Sequence, residues 1–398
     1  MALQFTDLRR PGCLGNVSGE LRRGRVTAVL GPSGAGKTSF FSVLSGRLAA
    51  SQGTVLLDGQ QTSLTEHKSL LGFVTEDDAL LPLFSVEETL DFAAAVRLSA
   101  KVTTHERTQL VNRLLHVLGL SHIRHSRVGQ GAALAGVRGV SFGERRRLSI
   151  GVELAGLPQI LLVDDATCGL DSRTAREVVA TLGRVAENGL TVAAILHQPS
   201  WPLLSRIDDV LCIGRGGYAV YCGPTTEALA YFASAGQRRR TLTRPHPAAR
   251  APLAHIGAAA LVAGFTCPEQ LSPTVFLLEL LGGHPHVIAP REGSRAEAGT
   301  LNGGAEEAGV TRLGSQANGG GDADACAHEL LRALAQLWCL HLETAQSEQL
   351  QSRLQSAHGE SLPLPAARRQ PRFLVQLRLY TRRACMLVLR RWRKTSLE

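Results

Sequence analysis

The order of apolar and polar positions divides the chain into a regularly patterned part and a more variable part. Up to residue 235, short runs rich in Val, Ile and Leu alternate with stretches of helical spacing. This alternation favours an α/β fold with a largely parallel sheet. The predicted strands are Arg25–Leu30, Gly53–Leu57, Leu71–Val74, Ile160–Val163, Leu190–Leu196 and Asp209–Ile213, followed by a hairpin strand at Tyr218–Cys222.

The pattern changes several times beyond residue 235. Residues 236–283 begin with an Arg-, Ala- and Pro-rich stretch and predict an insertion and a linker, whereas residues 284–325, with few large apolar side chains, predict disorder. Helical spacing returns within 326–365. Residues 366–398 are basic and amphipathic, with a helix predicted at Phe373–Lys394. The sequence therefore predicts one α/β domain at 1–235 with a helical C-terminal extension.

Charge and cysteine content exclude several classes of function. The 398 residues carry a formal net charge of +9, but ten of the 43 Lys and Arg residues lie between Arg368 and Glu398. The rest of the chain is balanced, so a basic nucleic-acid-binding face on the main domain is not expected. The eight cysteines include no CxxC pair, which argues against a zinc site or a redox motif. No stretch reaches the roughly 20 apolar residues that a membrane span requires.

The first candidate for chemistry is a glycine-rich loop. Its residues, with the one that follows, are Gly31, Pro32, Ser33, Gly34, Ala35, Gly36, Lys37, Thr38 and Ser39, and they match G-x-x-x-x-G-K-[ST] between a predicted strand and a predicted helix. Backbone N–H groups in such a loop point at phosphate oxygens, and the helix N-terminus adds partial positive charge. Lys37 is expected to reach the β- and γ-phosphates and Thr38 to ligate Mg²⁺. The alternative is a glycine-rich turn that matches by chance.

Two further elements fit the same chemistry. The apolar run Ile160–Val163 ends in Asp164 and Asp165; the first carboxylate would hold Mg²⁺ and the second would polarise an attacking water. His197 follows another apolar strand and could face a γ-phosphate. Taken separately, these could be an acidic turn and a structural histidine. Their order after the phosphate-binding loop favours the functional interpretation.

The ordered motifs resemble the ATP-binding cassette of ABC transporters, and within that family the G subfamily of White-type half-transporters. The resemblance is close over residues 1–235 and weak beyond. It is carried by Arg138-Gly-Val-Ser-x-Gly-Glu-Arg-Arg-Arg, Gly169-Leu-Asp-Ser, His197-Gln-Pro-Ser, Gly72-Phe-Val-Thr-Glu, Ser85-Val-Glu-Glu-Thr-Leu and Val220-Tyr-Cys-Gly-Pro. It implies an ABC-type P-loop NTPase cassette with a parallel-sheet core, an antiparallel β subdomain and an α-helical subdomain.

The resemblance also implies roles for individual residues. Ser141, Gly143 and Glu144 would form the signature motif, which contacts ATP held by a partner cassette in a head-to-tail dimer. Asp171 would lie in the D-loop between the two cassettes, and His197 would be the switch histidine. A further residue, Glu76, falls where the family has the Q-loop glutamine that couples Mg²⁺ and water to the membrane domain. The implied cofactors are ATP and Mg²⁺.

The sequence departs from the family pattern at three positions of this machinery. Asp165 stands where the family has a catalytic glutamate, and a misplacement of about 1 Å can cost about 10²-fold in rate. Phe142 replaces a signature glycine, and Glu76 puts a charge where the family has an amide. Ala166 and Cys168 are milder changes in the next turn. Apart from Phe5, no aromatic residue near Arg9 and Arg10 could stack on adenine, although Arg could stack instead.

The basic C-terminal stretch has two interpretations: a solvated Arg-rich helix, or an amphipathic helix at an anionic membrane surface. The second agrees with the connecting helix that precedes the first membrane span in the G subfamily. We therefore expect a location on the cytoplasmic face of a membrane, with a transmembrane domain supplied outside these residues and a second cassette as partner. The leading hypothesis is an exporter's ATPase cassette; the alternatives are a catalytically degenerate regulatory cassette and a soluble P-loop enzyme.

Overall fold

The computed structural model describes residues 1–61, 68–99, 101–129, 139–241, 265, 267–268, 270–283, 328, 330–339, 341–342 and 373–395. The segment 284–325, for which the sequence predicts disorder, lies outside these described residues. So does most of the predicted insertion at 236–262.

Ten strands form one mixed sheet. Its order is β5-β4-β1-β2-β10-β9-β3-β8-β7-β6. The strands are β1 (Leu3–Arg10), β2 (Leu14–Leu21), β3 (Val26–Leu30), β4 (Gln52–Leu57), β5 (Gln60–Gln61), β6 (Leu71–Val74), β7 (Ile160–Val163), β8 (Thr191–Ile195), β9 (Asp209–Gly214) and β10 (Tyr218–Pro224). Strands β9, β3, β8, β7 and β6 run parallel, whereas β1, β2, β4 and β5 form an antiparallel arm.

The parallel strands form the buried core of the fold. Every residue of β3, β7 and β8 is buried, as expected for strands covered on both faces. The register pairs Val29 with Ile195 and Leu30 with Cys212, so the carboxyl ends of β3, β8 and β9 lie at one edge. In open parallel sheets this edge is where ligands bind.

The helices begin with capping signals that the sequence carries. They are α1 (Lys37–Leu44), α2 (Val86–Arg97), α3 (Thr104–Val117), α4 (Phe142–Leu154), α5 (Ser172–Glu187), α6 (Trp201–Leu204), α7 (Ala228–Thr241) and α8 (Pro273–Gly282), with a C-terminal helix at Phe373–Thr395. Capping boxes at Ser85, Thr103 and Ser141 each satisfy two of the N–H groups at the starts of α2, α3 and α4.

A partly buried ion pair joins the helical region to the parallel sheet. Both terminal nitrogens of Arg97, at the end of α2, donate to the carboxylate of Glu153 near the end of α4. The same carboxylate accepts a 3.3 Å hydrogen bond from the backbone N–H of Phe73 in β6. Helices α2 and α4 are thereby held against the strand that precedes Glu76.

Residues beyond 235 pack on the same fold. The helical residues 330–339 place Leu331, Leu334 and Trp338 in the apolar core. The Trp338 indole stacks near Tyr221 and Tyr231, with ring centroids 5.5 and 5.7 Å away. Its Nε1–H donates a 3.0 Å hydrogen bond to the Ser18 carbonyl. The domain boundaries themselves stay predictions, but these residues share one core with the sheet.

The C-terminal helix contacts the helical region at α2. The Tyr380 ring lies edge-on to Phe92 at 5.8 Å, and the Arg383 guanidinium lies 4.8 Å from the Phe92 ring centroid. Among the helices that the structure describes, none has both the length and the apolar character needed to cross a bilayer.

Candidate nucleotide-binding site

The glycine-rich loop links β3 to α1 at the carboxyl edge of the sheet, as the sequence predicts. Gly36, the residue before α1, has φ 94°, and a Cβ there would lie 2.3 Å from the Cys13 carbonyl oxygen. A Cβ on Gly31 would lie 2.2 Å from the Ile213 carbonyl oxygen. Only glycine fits at these two positions, because the loop approaches the backbone of neighbouring segments directly.

Lys37 folds back over its own loop. The side chain is buried, and Nζ donates hydrogen bonds to the carbonyl oxygens of Gly31 at 2.8 Å and Pro32 at 2.9 Å. Burial lowers the pKa of the ammonium, while the charges of Asp164 and Asp165 oppose that shift. The lysine and the two carboxylates are therefore close enough to interact electrostatically.

Thr38 and Asp164 meet at the edge of the sheet. The Thr38 hydroxyl donates a 3.2 Å hydrogen bond to Oδ1 of Asp164, which follows directly after β7. Burial raises the pKa of the Asp164 carboxyl, and the charges of Glu76 and Asp165 add to that shift. The Thr38 hydrogen bond and the Arg146 charge work in the opposite direction. Excess negative charge at this position is the environment that a bound cation would relieve.

Asp165 has an unusual backbone and an unpaired oxygen. Its φ is 53°, a left-handed value that is uncommon for residues other than glycine. Oδ2 lies 3.9 Å from Nε2 of His197, whose side chain is half exposed. The other oxygen, Oδ1, is buried without a hydrogen-bond partner among the described residues. Such an unsatisfied buried acceptor is a place where water or a ligand group would bind.

Glu76 is exposed in the loop after β6. The backbone N–H of Asp164 donates to the carbonyl of Val74, the last residue of that strand, at 2.8 Å. The structure therefore brings Glu76 to the same edge as Asp164, where its charge acts on the Asp164 pKa.

The predicted signature residues form a second group, at the first turns of α4 and α5. Ser141 and Glu144 bind each other in a capping box: the Glu144 carboxylate accepts from the Ser141 N–H at 2.7 Å, and the Ser141 hydroxyl accepts from the Glu144 N–H at 3.3 Å. A Cβ on Gly143 would lie 1.9 Å from Cγ2 of Thr174, so a glycine is needed for α4 to pack on α5. Asp171 caps α5 by accepting from the Thr174 N–H at 2.6 Å.

Phe142 and Phe5 lie in different environments. Phe142 begins α4 and is 57% exposed, so its ring projects from the surface beside the signature residues. Phe5 is buried and packs edge-on against Phe40 at 5.1 Å, which removes it as a stacking partner for adenine. Nearby, Arg9 pairs with Asp7, and Arg10 donates to the Ala49 carbonyl.

Arg146 is a site residue whose role the sequence did not indicate, although it lies in the motif that runs from Arg138 to Arg147. It lies in α4, is 3% exposed, and donates to backbone carbonyls on both the segment after β6 and the segment after β7. Its partners are mostly backbone atoms, which no side-chain pattern marks. The motif places an arginine here but does not show what the arginine contacts.

The fold and this edge define a class of protein. A parallel sheet with a glycine-rich loop, a lysine, a hydroxyl and a carboxylate after the neighbouring strand is the arrangement of P-loop nucleotide-binding domains. A solved structure, that of cbiO1 from Clostridium perfringens, part of the ABC transporter complex cbiONQ, shares the fold with a TM-score of 0.50 and 23% identity. That likeness covers 61% of this chain and 96% of the other.

Sequence comparisons specify the family. A family model described as ABC transporter matches residues 14–168. ABC transporter G family member 22 of Arabidopsis thaliana is 42% identical over 225 residues, which is 56% of this chain and 29% of that protein. G family member 25 of Oryza sativa subsp. japonica is 38% identical over 222 residues (55% and 22%), and G family member 7 of Arabidopsis thaliana is 36% identical over 274 residues (67% and 33%).

Residues 14–168 thus match the ABC transporter domain, and the cassette resembles that of relatives named ABC transporter G family members, as its motifs predict. The matched region spans no more than a third of the length of these relatives. Cassettes of this family bind ATP, generally with Mg²⁺, dimerise, and associate with transmembrane domains on the cytoplasmic side of membranes.

Proposed function

We propose that this chain binds Mg²⁺-ATP at residues 31–39 and uses binding and hydrolysis to drive export through a transmembrane domain. The observation that carries the proposal is the hydrogen bond between Thr38 and Asp164, at 3.2 Å. It joins the phosphate-binding loop to the acidic strand end, so the elements expected to hold the phosphates and the metal lie side by side.

The loop supplies the phosphate contacts. The backbone N–H groups from Ser33 to Ser39 and the N-terminus of α1 favour an anion at this position. Lys37 must exchange its two bonds to the loop carbonyls for bonds to phosphate oxygens. Because its ammonium is already buried in the folded protein, binding a phosphate requires little further desolvation of Lys37.

The residues present fit Mg²⁺. Among the described residues no cluster of three or more His, Cys, Asp or Glu side chains could hold a metal. Mg²⁺ with a nucleotide does not need one, because it takes one or two protein oxygens and completes its shell with phosphates and water. Thr38 and Asp164 supply a hydroxyl and a carboxylate, and Glu76 is a third oxygen ligand within electrostatic reach. The metal would neutralise charge on the phosphates.

For hydrolysis we assign Asp165 as the base that orients and polarises water. Its unpaired Oδ1 is available to accept a hydrogen bond, and His197 lies next to its other oxygen. Glu76, exposed in the loop after β6, would help to place the metal and the attacking water. Since the aspartate is one methylene shorter than the family's glutamate, we propose that turnover as a homodimer is slow.

A second cassette would complete the site. We propose that Ser141, Gly143 and Glu144, with Asp171, face ATP held by that partner in a head-to-tail dimer. In support, all four lie at the N-terminal turns of α4 and α5, where free N–H groups and helix dipoles favour an anion. The Ser141 hydroxyl accepts within its capping box but keeps its own proton to donate.

The C-terminal helix is proposed to lie on an anionic membrane surface at the cytoplasmic face. Exposed apolar side chains on it (Val375, Leu377 and Tyr380) alternate with arginines. This composition suits the interface between head groups and acyl chains. The transmembrane domain that the cassette would drive is a proposed partner, and the transported molecule would be set by that domain.

A second candidate function is a regulatory cassette that binds ATP without hydrolysing it. Two observations favour it: Asp165 in the place of the catalytic glutamate, and the exposed ring of Phe142 on the surface expected to meet the partner's nucleotide. Under this alternative the power for transport would come from the intact site of a partner.

Measuring ATP binding and steady-state ATPase activity on the same purified protein separates these functions. Binding with turnover, both abolished by Lys37→Ala, supports the motor cassette. Binding without turnover supports the regulatory cassette. No ATP binding by the wild type would refute both, and Lys68→Ala, at an exposed lysine outside the site, serves as the control.

A further inference from the structure

Arg146 is buried at the junction of the two segments that carry the acidic residues of the site. Its Nη1 donates to the carbonyl of Thr75 at 2.7 Å and lies 3.4 Å from that of Glu76. Its Nη2 donates to the carbonyls of Asp164 and, at 2.9 Å, Asp165. One guanidinium therefore bridges the segment after β6 and the segment after β7.

Among the described residues, the carboxylate of Asp78 forms an ion pair with this buried guanidinium. Asp78 Oδ1 lies 3.0 Å from Nη1, and both side chains are almost fully enclosed, at 4% and 9% exposure. Breaking one partner of such a pair is costly, because it leaves an uncompensated charge inside the protein. The remaining nitrogen, Nε, has no partner among the described residues. The hydrogen bonds of the guanidinium therefore all come from Nη1 and Nη2 and go to the two segments.

Only arginine can make these contacts together. Its planar fork presents several donors in fixed directions and stays charged at any accessible pH, whereas a lysine ammonium is a single point on a flexible stem. The charge also faces Asp164, where it favours the ionised carboxylate against burial and against the neighbouring Glu76 and Asp165.

We propose that Arg146 is a positioning residue that fixes Glu76 relative to Asp164 and Asp165. The carboxylates that follow β6 and β7 would then keep fixed positions relative to each other when Mg²⁺-ATP binds. This inference rests on the proposed function. It also gives α4, which begins with the signature residues, a direct mechanical link to the metal-binding carboxylates. A shift of that helix would move both segments together.

The test compares ATP affinity with and without the metal, by titration calorimetry on the full chain. For the wild type, the ratio of the Kd in EDTA to the Kd in Mg²⁺ defines a magnesium gain. In Arg146→Gln we expect the Kd in EDTA to stay within about twofold, because residues 31–39 are untouched. The magnesium gain should fall about tenfold, the usual effect of losing a group that orients metal ligands.

The matched control is Arg147→Gln. Arg147 is the next residue of α4, is also buried, and pairs with Glu177 at 2.7 Å, but its partner lies on α5. We expect this variant to lose thermal stability as Arg146→Gln does and to keep the wild-type magnesium gain. Equal magnesium gains in the wild type and in Arg146→Gln would overturn the proposal and leave Arg146 a structural residue.

A conservative variant guards against misfolding. Arg146→Lys keeps a positive charge beside Asp78, so it should fold, but a single ammonium cannot hold the backbone carbonyls of both segments and the magnesium gain should still fall. If Arg146→Gln does not fold and Arg146→Lys has the full wild-type gain, the proposal is wrong. Failure of the proposed function looks different, because the wild type itself would then bind no ATP.

Discussion

The imidazole Nε2 of His197 lies 3.9 Å from Oδ2 of Asp165, and the second oxygen of that carboxylate has no hydrogen-bond partner among the described residues. The two side chains are neighbours, but their nearest atoms are too far apart to form a hydrogen bond. A longer acidic side chain on the same backbone would carry its oxygens farther from the main chain. The geometry therefore leads directly to a gain-of-function test.

Asp165→Glu should raise the ATPase rate, by up to about 100-fold if the retracted carboxylate limits turnover. Steady-state phosphate release at saturating Mg²⁺-ATP measures it. Asp165→Asn is the control, since it keeps the shape but removes the base and should abolish turnover. A fast wild type that Asp165→Glu leaves unchanged would refute the assignment of slow hydrolysis.

Phe142→Gly should favour the ATP-bound dimer, because the exposed ring lies on the surface expected to meet the partner's nucleotide. Light scattering with Mg²⁺-ATP, in an Asp165→Asn background that blocks turnover, would show a larger dimeric fraction. Leu157→Gly removes another exposed apolar side chain, on a loop after α4, and should not change that fraction. An equal dimeric fraction in Phe142→Gly and its parent would mean that the ring does not obstruct the contact.

Asp164→Asn should stabilise the ligand-free protein at neutral pH. Burial raises the folded-state pKa of this carboxyl above its ordinary value of 3.8, so the folded protein binds the proton more tightly than the unfolded chain. The wild type consequently loses stability as the pH rises from about 4 through the raised pKa, and the neutral amide avoids that loss. Melting temperatures of both proteins between pH 4 and pH 7 should diverge as the pH rises.

Asp171→Asn is the control of opposite sign. Its carboxylate accepts the Thr174 N–H at the start of α5, which lowers its pKa. The wild type is thereby stabilised at pH values above the ordinary pKa of an aspartate. The substitution should destabilise the protein at pH 7 and have less effect as the pH falls. The same direction of change for both variants would contradict the electrostatic account.

Trp338→Ala should cost about 3–5 kcal/mol of unfolding free energy, as large-to-small changes at buried aromatic positions do. The indole is 3% exposed, packs on Tyr221 and Tyr231, and donates to the Ser18 carbonyl. Urea unfolding followed by circular dichroism measures the loss. Val375→Ala, at an exposed position of the C-terminal helix, should change stability by less than about 0.5 kcal/mol.

The sequence predicted the parallel core well because four of its five strands (β3, β7, β8 and β9) are buried at every position and therefore largely apolar. The runs at Ile160–Val163 and Leu71–Val74 were predicted with the bounds that the structure has. Strands β1 and β2 were not predicted. Their pairing shifts register between Phe5 and Leu8, where Asp7 has φ 52°, and this irregularity breaks the alternation that marks a strand.

The candidate site was predictable where motif and topology agree. Thr38 and Asp164 follow two parallel strands, so they had to meet at one edge, and they do. Arg146 could not be predicted because its acceptors are mainly carbonyl oxygens, which every residue carries. Gly143 was predicted only as a member of the signature motif, whereas the structure shows that the close packing of α4 on Thr174 also requires a glycine there.

The hydrogen bond from Trp338 to Ser18 spans 320 residues of sequence and has a consequence for biosynthesis. During translation at about 5–20 residues per second, the first strands emerge many seconds before the indole that covers them. Through that interval Tyr221 and Tyr231 lack their aromatic partner, and the nascent cassette exposes an apolar surface. Its final stability is acquired late, when the downstream helix docks, so this surface is where chaperones would be expected to act on the growing chain.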